Sequence, residues 1–201
     1  SEAWKSRINA HDLGSLTVTP PWLAEGRDPA RTIVIEPGMA FGTGEHATTR
    51  GVVRLLPTVM RDGDIVADLG AGSAVLAIAA AKLGASRVYA VELDGEAIPD
   101  AERNVLRNDV ADRVHVFEAD AGALLPLLAP VRVVLANIIS SVLVELLPII
   151  AESLTDDGGA ILSGILQEER EEMLGVLAAT GWRVLDEDAE DIWWSVSIAR
   201  A

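Results

Sequence analysis

The residues of this chain best placed to do chemistry are polar side chains that each close an apolar run. Asp68 opens Asp68-Leu69-Gly70-Ala71-Gly72-Ser73-Ala74, directly after Ile65-Val66-Ala67 and just before an alanine-rich segment that begins near Val75. Glu92 ends Val88-Tyr89-Ala90-Val91, Asp120 follows Val116-Phe117-Glu118-Ala119, and Asn137 ends Val133-Val134-Leu135-Ala136. A strand, a tight glycine turn and a helix start, in that order, build a nucleotide-binding corner. There Gly70 and Gly72 let the backbone turn sharply and let a ligand approach the main chain. Glu92 stands twenty residues beyond Gly72, the separation at which an acid accepts hydrogen bonds from the ribose hydroxyls of an adenosine ligand. An ordinary strand–turn–helix, with glycines for geometry alone, is the competing reading of the corner.

Two details choose among adenosine ligands. A dinucleotide site calls for a third glycine three residues after Gly72, where this chain has Val75, so the helix opens without the residue that fits a pyrophosphate. Asp68 at the strand end could face a cationic group. Both features point away from NAD and toward S-adenosyl-L-methionine, whose amino acid end is zwitterionic and carries no phosphate. Asp120 could accept from an adenine amine, or merely form a turn in Ala119-Asp120-Ala121-Gly122. Asn137 is the only side chain of residues 133–139 able to make directional polar contacts; it could position an amine or the methionine end, or end its strand in an Asx-type turn.

A second polar segment is Glu36-Pro37-Gly38-Met39-Ala40-Phe41-Gly42-Thr43-Gly44-Glu45-His46-Ala47-Thr48-Thr49. Such a loop can close over a ligand with main-chain amides and hydroxyls. Thr48 or Thr49 could instead cap the following helix, which leaves Phe41-Gly42-Thr43-Gly44 unexplained. No Gly-Lys-Ser/Thr follows, so the loop is no Walker A phosphate cradle, and it is no nucleophile elbow.

The elements that must hold these groups alternate. Strands are expected over residues 32–36, 65–68, 87–93, 113–118, 132–136, 159–165, 182–186 and 193–199. Helices are expected over 48–60, 75–83, 96–108 with Asp94 as cap, 140–154 and 167–180. Apolar runs without alternation suggest a parallel sheet covered by helices on both faces, and the order of elements gives a doubly wound α/β fold. The last two strands are joined only by an acidic loop, 187–191, too short for a crossover, which forces an antiparallel hairpin. Residues 1–30 read as a poorly periodic lead-in and 31–201 as one domain.

Composition narrows the function classes. At 201 residues, half of them apolar, one substantial core is expected. No apolar run reaches the roughly 18–20 residues of a membrane span, and no signal peptide opens the chain, so a soluble cytoplasmic protein without membrane attachment is expected. Cysteine is absent and three histidines lie far apart, which leaves no thiol chemistry and no metal-ligand spacing. The formal charge of −15 repels nucleic acid and favours a basic, lysine-rich partner.

Taken together, Pro37-Gly38-Met39-Ala40-Phe41-Gly42-Thr43-Gly44-Glu45-His46-Ala47-Thr48-Thr49, then Asp68-Leu69-Gly70-Ala71-Gly72-Ser73, then Ala136-Asn137-Ile138 resemble the ribosomal protein L-eleven methyltransferase family, from about Trp4 to the C-terminus. The resemblance implies a Rossmann-like class I methyltransferase fold: a seven-stranded, mostly parallel sheet with a C-terminal antiparallel hairpin. It also implies an S-adenosyl-L-methionine-dependent enzyme that methylates amino groups, a lysine side chain or the N-terminus, of a large-subunit ribosomal protein. By analogy Thr49, Gly70, Glu92 and Asn137 contact the cofactor. The full candidate cofactor set is Phe41, Gly42, Thr43, His46, Thr48, Thr49, Asp68, Gly70, Ala71, Gly72, Glu92, Leu93, Asp120 and Asn137, with Asn137 and Ile138 at the reacting amine. Three departures stand out. The family commonly has Asp at Glu92. Its glycine corner usually carries glycine where this chain has Ala74, a change that is harmless in a helical backbone and a clash at positive φ. Members also carry an N-terminal substrate-recognition domain, and this sequence starts at the linker, so the resemblance reaches the catalytic domain only. A methyltransferase for another protein or a small molecule, and a non-catalytic adenosine-ligand-binding module, remain as alternatives; an NAD-dependent oxidoreductase is disfavoured by Val75 and the hairpin.

Overall fold

The structure, a computed structural model, describes residues 3–36 and 45–201. A small sheet comes first: β1 (His11–Leu13), β2 (Leu16–Thr19) and β3 (Thr32–Val34), with β2 antiparallel to β1 and parallel to β3. Residues 11–13 and 16–19, expected within a poorly periodic lead-in, are thus strands. Leu13, Leu16 and Val18 are buried in the same cluster as Val52, Ala77 and Ile78 of the main body. Three- and four-residue strands are too short for a period of two to show in sequence.

The large sheet contains β4 (Ile65–Leu69), β5 (Arg87–Glu92), β6 (Val114–Glu118), β7 (Val131–Asn137), β8 (Leu154–Leu166), β9 (Trp182–Glu190) and β10 (Trp193–Arg200). Its order is β6-β5-β4-β7-β8-β10-β9, and β10 runs antiparallel to both of its neighbours while the other pairings are parallel. The expected seven-stranded sheet with a terminal hairpin is what forms. Strand order reverses between β4 and β7, the point at which doubly wound sheets open a crevice at their carboxyl ends.

Helices α1 (Glu45–Leu55), α2 (Val75–Lys82) and α3 (Ile98–Arg107) cover one face; α4 (Ala121–Leu128), α5 (Ser140–Ser153) and α6 (Arg170–Ala179) cover the other. Along β7 the division is visible residue by residue: Val133 and Leu135 join the first cluster, Val134 and Ala136 the second. Both faces are therefore dry, which is why these strands read as unbroken apolar runs. Each fully buried branched side chain contributes about 1.5–3 kcal/mol, and Ala77, Ala79, Ala80 and Ala81 of α2, at most 1% exposed, bring that helix close to the sheet.

Helix α1 spans Glu45–Leu55 where 48–60 is expected, β8 begins at Leu154 where 159 is expected, and three other elements differ from the sequence reading for identifiable reasons. Helix α4 is not anticipated, because Pro126 lies inside it and argues locally against a helix. Helix α3 begins at Ile98; the Asp94 carboxylate accepts from the Glu96 N–H at 2.9 Å and closes a turn ahead of the helix. The acidic run 187–191 is not a loop: β9 extends to Glu190, and the turn is Asp191–Ile192 with Asp191 at φ 54°. Alternation on the strand explains it. Asp188 and Glu190 face α1, where Arg54 pairs with both and Arg50 with Glu190, while Glu187 pairs with Arg170 and accepts from the Trp194 indole at 2.9 Å. The Arg50 and Arg54 guanidiniums hold the Glu190 carboxyl below its usual range, Arg50 foremost.

Candidate functional site

A cleft of about 310 Å³ opens where β4, β7 and β8 end, lined by Thr48, Thr49, Asp68, Gly70, Ala71, Gly72, Asn137 and Ile138 of the expected set. The glycine turn is its floor. Gly70 stands at φ 71° and Gly72 at φ 55°, conformations that L side chains rarely adopt. A Cβ on Gly70 would meet the Ile138 side chain at 3.1 Å, so glycine here also lets the Asn137–Ile138 segment approach. The Gly70 and Ala71 N–H groups donate to the Val91 carbonyl at 2.9 and 3.0 Å. The Glu92 carboxylate closes the turn, accepting from Gly72 N at 2.8 Å and from Asp94 N at 2.8 Å. Ala74 is left-handed, φ 69°, and fully buried. The position does need positive φ, and the alanine methyl is accommodated at a cost of about 1–2 kcal/mol.

Asp68 is the electrostatic centre. It is 1% exposed, and its Oδ2 has no hydrogen-bond partner among the described residues. Burial pushes its carboxyl up to about 7; the Ala77 backbone N–H pulls the other way, and Glu92 adds to the rise. A desolvated carboxylate with an orphan oxygen, lining a cleft, is a site for a cation or a hydrogen-bond donor.

On the neighbouring strand β7, Asn137 Nδ2 donates to Thr48 Oγ1 at 3.1 Å, joining residues 89 apart in the chain. Several cleft residues were not expected from sequence: Leu13, Val18, Ile35, Ser73, Val75, Leu76, Ile139, Gly164 and Trp193. Gly164 could have been suspected as a glycine within an apolar strand. Its φ is 80°, and a Cβ there would lie 2.9 Å from the Ile138 carbonyl and 3.0 Å from Asn137 Oδ1. Asn104 supports the glycine turn from α3, donating to the Ser73 carbonyl at 3.0 Å.

The other expected residues are placed differently. Glu92 adjoins the cleft through Gly72 but does not line it; Leu93 is 70% exposed beyond it. Asp120 does not line it either; its carboxylate caps α4, accepting from Gly122 N at 3.2 Å. Phe41, Gly42, Thr43 and the His46 side chain lie outside the described residues. Among the described residues no three potential metal ligands come together, and no helix is long and apolar enough to cross a membrane.

Comparison with known proteins bears on this geometry. A family model described as ribosomal protein L11 methyltransferase (PrmA) matches residues 1–201. Proteins named ribosomal protein L11 methyltransferase are similar to the chain: that of Carboxydothermus hydrogenoformans is 36% identical across 96% of the chain and 63% of its own length. That of Thermus thermophilus is 39% identical across 99% and 76%. The chain spans 63% of the length of the relatives from Carboxydothermus hydrogenoformans and Desulforamulus reducens. A crystal structure of ribosomal protein L11 methylase from Lactobacillus delbrueckii superposes with a TM-score of 0.84 at 29% identity, covering 96% of this chain and 98% of that one. A precorrin-6y C5,15-methyltransferase from Geobacter metallireducens shares the fold, with a TM-score of 0.67 at 17% identity over 83% and 93% of the two chains.

Proposed function

The chain belongs to the ribosomal protein L11 methyltransferase family, and on that premise we propose that it transfers methyl groups from S-adenosyl-L-methionine to amino groups of ribosomal protein L11. The observation that carries the reading is the orphan Oδ2 of buried Asp68, facing the same cleft as the glycine turn and Asn137. The residues fit the cofactor. Asp68 would meet its α-ammonium, Gly70 to Gly72 leave the main chain bare for close approach, and each Glu92 oxygen retains a lone pair for a ribose hydroxyl after holding one N–H. Leu93 and Asp120 lie on the β5 and β6 side, where the adenine would extend. Phe41, Gly42 and Thr43 keep their sequence-based assignment to the cofactor, as do His46, Thr48 and Thr49 of α1.

When bound, the cofactor supplies an electrophilic methyl on a sulfonium, whose sulfur leaves as a neutral thioether. The protein must align a neutral amine with that methyl at about 3 Å. A lysine amine with a pKa near 10.4 is protonated in water, and the apolar surround of Ile138 and Ile139 favours its neutral form by desolvation. With Asn137 Nδ2 engaged by Thr48, Asn137 Oδ1 is the end of the amide that accepts an amine N–H and orients the lone pair. The displaced proton passes to water, so no strong base is required. The acidic surface of the chain, −15 in formal charge, suits a lysine-rich protein substrate over nucleic acid, and a cytoplasmic location goes with a ribosomal protein substrate.

The test is transfer of labelled methyl from S-adenosyl-L-methionine to purified L11. Label on amino groups of L11 is the expected result. Binding of the donor with no label on L11 would overturn the substrate, and failure to bind the donor would overturn the reading as a whole.

A further inference from the structure

Strands β7 and β8 pair in parallel with Asn137 directly beside Ser163, so the two side chains emerge on the same face of the sheet, beneath α1. Both reach the same residue of that helix. Asn137 Nδ2 donates to Thr48 Oγ1 at 3.1 Å, and Ser163 Oγ donates to the Thr48 carbonyl at 3.3 Å. Behind them Ser163 Oγ and Ser195 Oγ of β10 lie 2.8 Å apart. Ser163 is fully buried, Ser195 2% exposed and Thr48 5% exposed. A serine hydroxyl has one proton; with that proton on the Thr48 carbonyl, Ser195 is the donor to Ser163. The hydroxyls thus run as a directed chain from β10 through β8 to the helix backbone. Helix α1 comes close enough for this because Gly51 has no side chain: a Cβ there would lie 2.7 Å from Ser195 Oγ.

We infer that Ser163, backed by Ser195, is a positioning residue for the methyl-accepting site: it pins the Thr48 backbone, and through the Thr48 hydroxyl sets the Asn137 amide so that Oδ1 faces the amine. This rests on the function proposed above. Gly164, next in the chain, completes the arrangement. At φ 80° it leaves open the space beside Asn137 Oδ1 that a Cβ would fill at 3.0 Å. The two successive residues therefore play distinct parts, one fixing the nitrogen end of the amide and the other clearing its oxygen end.

A cycle of Ser163→Ala, Asn137→Ala and the double variant, assayed for methyl transfer to L11, tests the inference. Ser163→Ala should lower kcat about tenfold, as for loss of an orienting contact, with a far smaller change in the dissociation constant for S-adenosyl-L-methionine. In the Asn137→Ala background the same change should do nothing further, because its effect acts through that amide. Ser163→Thr, which keeps the hydroxyl, should recover most of the rate, and Ser195→Ala should lower it about threefold by removing the donor behind Ser163. Equal losses from Ser163→Ala in both backgrounds, or a loss confined to thermal stability, would overturn the positioning role. Should Ser163→Ala not fold, an unchanged kcat in Ser195→Ala would overturn it. If Asn137→Ala itself leaves turnover intact, it is the assignment of the amine site that fails.

Discussion

Replacing Asp68 by Asn gives a sharp test of the electrostatics of the cleft. The carboxyl is buried, with Oδ2 unpartnered, and its pKa rises from 3.8 to about 7, chiefly by desolvation. In the ligand-free chain, between those values, the folded protein keeps a proton that the unfolded chain has released. The unfolded state binds fewer protons, so stability falls as pH rises through this window and levels off above it. At 1.36 kcal/mol per pH unit the loss totals about 4 kcal/mol, of which about 2 kcal/mol falls between pH 5.5 and 8. Asn has the same shape and no charge to desolvate. Asp68→Asn should therefore be more stable than the parent, by about 2 kcal/mol at pH 5.5 and about 4 kcal/mol at pH 8. Urea unfolding followed by circular dichroism, on both proteins at each pH, isolates the effect, because the other titrating groups cancel in the difference. A stability difference that does not grow with pH, or a variant less stable at pH 8, would refute the reasoning. A second readout links the group to function. If the Asp68 carboxylate pairs with the cofactor's ammonium, binding near pH 6.5 releases a proton, detectable by calorimetry in buffers of different ionisation enthalpy. Asp68→Asn should abolish that release and weaken binding.

Three further perturbations follow from named contacts. Glu92→Ala should weaken S-adenosyl-L-methionine binding by about 1–3 kcal/mol, since it removes a charged acceptor and frees the Gly72 N–H that organises the turn; an unchanged affinity by calorimetry in a folded variant contradicts the assignment. Asn108→Ala should destabilise the chain by about 2–3 kcal/mol, because the Asn108 amide pairs with both the N–H and the carbonyl of Val34 at 2.7 and 2.8 Å and leaves both unpaired. Denaturant unfolding that shows no loss would exclude that role. Ala74→Gly should be close to neutral: relief of about 1–2 kcal/mol of left-handed strain offsets about 0.5–1 kcal/mol of added backbone freedom and about 0.8 kcal/mol for one buried methyl. A loss above about 2 kcal/mol in the same assay would mean that the methyl packing outweighs the strain.

The sequence by itself determined the features that obey short-range rules. Gly70 and Gly72 announce positive φ because no other residue adopts it freely, and both have it. The spacing of Glu92 from Gly72 is the length of one helix and one strand, so their contact at 2.8 Å was legible as an acid at a fixed distance, although its partner is the turn's own N–H. The unbroken apolar runs announced a sheet buried on both faces, and the absence of a helix between residues 186 and 193 announced the hairpin. What remained hidden depends on relations across the sheet. Ser163 is an unremarked serine in an apolar strand until the order β4-β7-β8-β10 sets it beside Asn137 and Ser195. The acidic run 187–190 reads as a loop until Arg50 and Arg54 on α1, some 134 to 140 residues away, supply the opposite charge on one face of β9. Likewise the sequence leaves Ala74 open between a helical and a left-handed backbone until the glycine turn, closed by Glu92, sets it in the left-handed region. Local motifs are written in backbone preference, which acts over a few residues; register, burial and charge pairing are decided only when distant segments meet, and those are what give the orphan oxygen of Asp68 its raised pKa and the Asn137 amide its direction.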